Sequence, residues 1–131
     1  MADFQVPADL KYTKSDEWVR MEGDEAVIGI TDYAQDALND ITYVEVGVAG
    51  EKLKADEIFG SVESVKAASD LHAPISGTVT VVNDGLEDNP DTINKDPYGT
   101  AWLIKIKPSN PAELDALMDA ATYQTYCAGR N

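Results

Sequence analysis

The stretch from Phe59 to Val79, FGSVESVKAASDLHAPISGTV, constrains the fold more than any other part of the chain. Ahead of the lysine, Ile58, Gly60 and Val62 alternate with Phe59, Ser61 and Glu63, the period of a strand that buries one face. Beyond it, the chain returns through Leu71–Pro74 and Ile75–Val82. Pro74 lacks a backbone donor and Gly77 suits a bulge or a close approach, so both point to an edge or a bend. Between the two arms Lys66 stands among small residues. The pattern predicts a hairpin that presents one lysine at its tip.

The neighbours of Lys66 leave its amine free to react. Val65, Ala67 and Ala68 bring neither a carboxylate partner nor bulk. A lysine attacks an activated acyl group only as the neutral amine, so an enzyme that modifies it must reach and deprotonate it. A rigid turn with small flanks allows that approach.

The remaining segments supply the strands and short helices around this hairpin. Trp18–Glu22 alternates apolar and polar residues, and Glu22-Gly23-Asp24 turns it into Ala26–Ile30. Thr31 is placed to cap a short helix carrying Tyr33, Ala34, Ala37 and Leu38, with Asp32 at its positive end. Ile41–Val46 has β-type composition and is broken by Gly47 and Gly50. Asn89-Pro90-Asp91 can open a helical turn, and Ala101–Lys107 is the strongest strand signal after the lysine hairpin. Asn110-Pro111-Ala112-Glu113 has the form of a capping box. Leu114, Leu117, Met118 and Ala121 follow at helical spacing, which predicts a C-terminal helical segment over 110–127 covering one side of the sheet core. The expectation is a single domain, 1–131, with a core over 25–107. Its fold class is mostly β, of the sandwich or flattened-barrel kind, with short helices.

Composition narrows the function. With 10 Lys and Arg against 24 Asp and Glu, the formal charge of −14 argues against nucleic acid or an anionic membrane as partner and favours basic docking surfaces. One cysteine, Cys127, excludes an internal disulfide framework and fits a reducing compartment. One histidine, His72, and no recognisable triad or metal-ligand cluster count against an enzyme. No stretch reaches membrane-spanning length, and no secretory pattern opens the chain. A cytoplasmic protein is expected, or a mitochondrial-matrix one whose transit peptide has been removed.

Gly60-Ser61-Val62-Glu63-Ser64-Val65-Lys66-Ala67 resembles the lipoyl-attachment segment of the H-protein family of the glycine cleavage system. Tyr12–Arg20, Gly29–Asp36, Leu86–Pro90 and Gly99–Pro108 resemble the same family in the same order. The resemblance implies the lipoyl-domain hammerhead fold, with strands in two sheets and the lysine on a protruding hairpin. It implies lipoate bound to Lys66 as an amide, and a non-catalytic carrier of one-carbon metabolism. The carrier would take an aminomethyl group from a pyridoxal-phosphate-dependent glycine decarboxylase, the P protein. It would deliver that group to the tetrahydrofolate-dependent aminomethyltransferase, the T protein, with dihydrolipoamide dehydrogenase, the L protein, reoxidising the arm. A lipoate ligase or a lipoyl or octanoyl transferase would modify Lys66 and read Glu63. Ser15, Glu17 and Asp70 match the arm-docking cleft of the family, with Glu17 and Asp70 as partners for a cationic load.

Two positions depart from the family pattern. Asp16 stands where His is frequent before Glu-Trp, and His72 where Tyr is common after Asp-Leu. Two alternatives share the architecture. A lipoyl relay protein would donate its lipoyl group to other carriers. A biotinyl carrier would place its lysine between methionines, whereas Met1, Met21 and Met118 are all far from Lys66 in sequence.

Overall fold

Short runs of β-favouring residues separated by glycines and turn-forming acids become strands too short to stand alone, and they assemble into two antiparallel sheets. The structure is a computed structural model that describes residues 5–130. Its strands are β1 (Lys11–Tyr12), β2 (Glu17–Glu22), β3 (Glu25–Ile30), β4 (Ile41–Glu45), β5 (Lys52–Leu53), β6 (Ile58–Ser64), β7 (Ala68–His72), β8 (Gly77–Val82) and β9 (Ile104–Pro108). The helices are α1 (Asp32–Leu38), α2 (Gly85–Asp88), α3 (Thr92–Lys95) and α4 (Ala120–Ala128), with a 3₁₀ segment at Pro111–Ala116. One sheet runs β1-β2-β3-β9-β8-β5 and the other β4-β6-β7. The expected mostly-β architecture with short helices and a C-terminal helix is present, as two open sheets and not as a closed barrel.

The main core lies between the sheets, where Ile28, Ile104, Ile106 and Val79 of the larger sheet join Val44, Val62 and Leu71 of the smaller one. Each such side chain stabilises the fold by about 1.5–3 kcal/mol relative to leaving it exposed. A second layer lies behind the larger sheet, where Tyr12, Trp18 and Val27 pack with Tyr123 and Cys127 of α4. Strand β3 is therefore buried on both faces. Gly29 is required within it, because a Cβ there would lie 2.6 Å from the Trp18 ring of the paired strand.

Local signals explain most element boundaries. Gly23, at φ 65°, begins the turn between β2 and β3 in a conformation that residues with a Cβ avoid. Thr31 caps α1 as expected, its hydroxyl accepting the Ala34 amide at 3.2 Å. Gly77 is a point of close approach, since a Cβ there would meet the Lys107 carbonyl at 2.3 Å.

Three expectations are corrected. The register of β6 against β7 shifts between Ile58 and Gly60. That bulge turns Ile58 outward, 53 % exposed, and buries Phe59 together with Val62, so Ile58 does not share the buried face. Strand β9 begins at Ile104, because the Ala101 and Trp102 amides are taken by the carbonyls of Asp96 and Gly99 in the preceding turn, and Leu103 is the first residue to bond across to β3, at the Ile28 carbonyl.

The segment 110–127 is also interrupted rather than one helix. Asn110 makes no side-chain cap bond, and the Glu113 carboxylate accepts the Ser76 amide at 2.7 Å and the Ser76 hydroxyl at 3.0 Å. Leu117 is extended, Met118 exchanges backbone hydrogen bonds of 2.8 and 2.9 Å with Tyr12, and Asp119 caps α4 by accepting the Thr122 amide at 2.8 Å.

Candidate functional site

The hairpin β6–β7 places Lys66 at an exposed tip, where its Nζ makes no hydrogen bond or ion pair among the described residues. The backbone beneath it is fully engaged. Ser64 N donates to the Ala67 carbonyl at 2.8 Å and Val65 N to the Asp40 carbonyl at 3.1 Å. The Ser64 hydroxyl oxygen accepts both the Lys66 amide, at 3.1 Å, and the Ala67 amide, at 3.0 Å. Positive φ values among the described non-glycine residues occur at Asp16, Asn39 and Asp56, so Val65 and Lys66 turn the chain without the left-handed backbone of the commonest two-residue hairpins. A serine side chain stands in for the missing backbone acceptor.

Beside the stem of the same hairpin lies a cleft of about 200 Å³. Its apolar wall comes from Ile30, Ala34, Ala37 and Leu38 on one side and Val62 and Leu71 on the other, and its rim from Ser15, Asp16, Ser69, Asp70 and Arg130. Ser69, three residues after Lys66, lines the cleft, so cleft and lysine belong to the same hairpin. The exposed Asp70 carboxylate accepts no hydrogen bond among the described residues, and it pairs with Ser61 across the hairpin only through the strand register.

Glu17 forms the floor and is 1 % exposed. Its Oε1 accepts the hydroxyls of Thr13, at 2.7 Å, and Ser15, while Oε2 accepts the His72 amide at 3.1 Å. One carboxylate thus ties the turn before β2 to the end of β7. Burial pushes its pKa up, opposed by the hydrogen bonds from Ser15, Thr13 and His72. The His72 Nδ1 is buried, 4.0 Å from Glu17 Oε2, and has no hydrogen-bond partner among the described residues.

Asp16 is neutralised from the far end of the chain. Arg130 grips it with both terminal nitrogens, at 2.5 and 2.9 Å, and Tyr123 donates its hydroxyl to the same carboxylate at 2.8 Å. The guanidinium lies over the rings of Tyr33, at 4.3 Å, and Tyr126, at 4.8 Å. The Asp16 carboxylate raises the Arg130 pKa still further above its ordinary value. The Asp16 carboxylate is therefore paired, and both members of the pair line the cleft.

The structure brings Ser15, Glu17 and Asp70 to the cleft, Lys66 to the tip and Glu63 to the exposed stem of the hairpin, opposite Tyr43 and Ala68. Sequence reasoning missed Ser64, Thr13 and Arg130. A hydroxyl that can accept the amide two residues on is a recognisable signal for Ser64. Nothing local to Arg130 announces a contact across 114 residues.

Comparison with known proteins gives one consistent picture. The family model described as Glycine cleavage H-protein matches residues 10–129. A glycine cleavage system H protein of Opitutus terrae is 57% identical over 119 residues, covering 90% of this chain and 94% of that protein. One from Symbiobacterium thermophilum is 54% identical over 121 residues, covering 92% and 94%. The crystal structure of a glycine cleavage system H protein from Mycobacterium marinum superposes with a TM-score of 0.85 at 37% identity, covering 92% of this chain and 97% of that one.

Proposed function

This chain belongs to the glycine cleavage H-protein family, and on that premise we propose that it is a carrier whose Lys66 bears lipoate as an amide and whose cleft shelters the loaded arm. The observation that carries this reading is the pairing of an unpartnered tip lysine with an apolar-walled, acid-rimmed cleft beside the stem of the same hairpin.

The residues present fit the group. A free primary amine flanked by Val65, Ala67 and Ala68 is the nucleophile that amide attachment needs, and Ile30, Ala34, Leu38 and Val62 suit an alkyl chain and a disulfide ring. When bound, lipoate supplies a dithiolane that carries the aminomethyl group of glycine between enzymes. The protein's own part is delivery at high local concentration and exclusion of water.

The two acids divide the work. Asp70 is exposed at the rim with its oxygens free, so it is the direct partner for a cationic load. Glu17 has both oxygens occupied and holds Ser15 and the His72 backbone in place beneath it. Glu63 stands on the stem where a modifying enzyme approaching Lys66 meets it. The partners are a glycine decarboxylase, an aminomethyltransferase, a dihydrolipoamide dehydrogenase and a lipoate ligase or transferase, in the cytoplasm. The chain has no catalytic role of its own.

Reconstitution tests the reading. Lipoylated protein mixed with glycine decarboxylase and glycine should support release of carbon dioxide and gain the mass of an aminomethyl group, while neither partner does so alone. Carbon dioxide release that is indifferent to this protein, with no mass gain, would refute it.

A further inference from the structure

The tip of the lysine hairpin is organised by a group that contacts neither Lys66 Nζ nor the cleft. The Ser64 Oγ lies 3.1 Å from the Lys66 amide, 3.0 Å from the Ala67 amide and 3.1 Å from the Ala67 carbonyl, to which it donates. Without it, two adjacent amides at an exposed turn would fall to water, because the nearby acceptors are already used. The Ala67 carbonyl takes the Ser64 amide and the Asp40 carbonyl takes the Val65 amide. The side chains of the turn offer no replacement. Val65 is 70 % exposed and apolar, and Ala67 has only a methyl group. Beyond the Ser64–Ala67 backbone bond that closes the turn, the Lys66 and Ala67 amides are therefore held by this one hydroxyl, while the Val65–Asp40 bond and the pairing of Ser64 with Ile41 tie the tip to the neighbouring strand.

We propose that Ser64 is a positioning residue for acylation of Lys66: its hydroxyl fixes the tip in the conformation that a lipoate-activating enzyme must accept. The proposal rests on the reading of Lys66 as the lipoyl site and adds how that site is presented. In the reaction the deprotonated Lys66 Nζ attacks the carbonyl carbon of a lipoyl adenylate made from lipoate and ATP. The new C–N bond forms, the acyl C–O bond to phosphate breaks, AMP leaves with that electron pair, and the amine's proton passes to solvent. Nothing in that chemistry involves Ser64 directly. Its contribution is the fraction of tips already in the accepted shape, and a smaller fraction weakens apparent binding to the enzyme in proportion while leaving the bound reaction unchanged.

The experiment compares wild-type protein with Ser64→Ala and with the shape-matched pair Ser64→Thr and Ser64→Val, using a lipoate ligase, lipoate and ATP. Amide hydrogen exchange at the tip is followed in parallel on the unmodified proteins. Ser64→Ala and Ser64→Val should raise the ligase's KM for this protein by about fivefold or more with kcat unchanged. Both should speed exchange of the Lys66 and Ala67 amides but not of the Val62 and Leu71 amides in the stem. Ser64→Thr, which keeps the hydroxyl, should restore both readouts. An unchanged KM in Ser64→Ala and Ser64→Val despite faster tip exchange would overturn the positioning role, and unchanged tip exchange would overturn the hydroxyl's hold on the turn. A global loss of stability in Ser64→Val but not in Ser64→Thr, with stem amides also exchanging faster, would assign Ser64 to folding and overturn the proposal. Failure of the wild-type protein itself to be acylated would instead sink the lipoyl reading on which it rests, with the exchange data standing apart from that failure.

Discussion

At the tip of the lysine hairpin, three of the four amides from Ser64 to Ala67 find an acceptor within the turn and the fourth, that of Val65, at Asp40. In the cleft below it, Glu17 joins Thr13, Ser15 and His72, and Asp16 joins Arg130 and Tyr123. The tip is a local structure with an exposed, unpartnered amine. The cleft is a long-range structure in which Glu17 is buried and hydrogen-bonded and Asp16 is ion-paired, with Asp70 left exposed at the rim. Reactivity and shelter are thus separated in space and in the kind of interaction that maintains them, so a substitution in one region should leave the other's property intact.

The largest expected effect breaks the tip alone. Lys66→Arg keeps charge and exposure but removes the acylatable amine, so modification should fall to zero while stability stays within about 0.5 kcal/mol. Mass spectrometry and thermal melting read the two quantities separately.

The cleft should respond in the opposite sense. Glu17→Ala leaves the hydroxyls of Thr13 and Ser15 and the His72 amide without their acceptor, which should cost about 3 kcal/mol in urea unfolding. Lys66 acylation of the molecules that remain folded should proceed at the wild-type rate. A stable Glu17→Ala protein would remove the claim that this carboxylate holds the floor together.

A smaller effect concerns the Asp16–Arg130 pair that lines the cleft. A double-mutant cycle of Asp16→Asn and Arg130→Gln should give a coupling of about 1 kcal/mol, since the pair is bidentate but partly open to solvent. Additive effects would mean that Arg130 contributes only through its stacking on Tyr33 and Tyr126.

The smallest effect is a pH dependence. Burial raises the Glu17 pKa in the folded protein above the ordinary 4.5, so the folded state binds this proton more readily than the unfolded chain. The resulting stabilisation is fully present below the unfolded value and is lost as pH rises through the folded one. Wild-type stability relative to Glu17→Gln should therefore decline as pH is raised above 4.5, measured by unfolding at matched ionic strength. A rise over that interval would mean that the hydrogen bonds from Ser15, Thr13 and His72 outweigh burial.

What could be seen in the sequence follows the same division. The hairpin, its tip lysine and the Thr31 cap are written in neighbouring residues, so alternation and capping rules reach them. The face of Ile58 was misread because a bulge shifts the strand register by pairing with β7, which alternation within one strand does not reveal. The capping box at Asn110 failed for a similar reason. Glu113 finds the Ser76 amide and hydroxyl 37 residues away, and that tertiary contact outcompetes the local one. The three predicted cleft residues came from family resemblance and converge in space. The paired state of Asp16 depended on Arg130 folding back across the molecule, beyond the reach of any local pattern.

The most direct test of the carrier reading is intact mass with peptide mapping after incubation with lipoate, ATP and a lipoate ligase. The prediction is one lipoyl increment, confined to the peptide that contains Lys66 and absent from Lys66→Arg. No increment, with a related H protein modified in the same reaction, or an increment at any other lysine, would contradict the account.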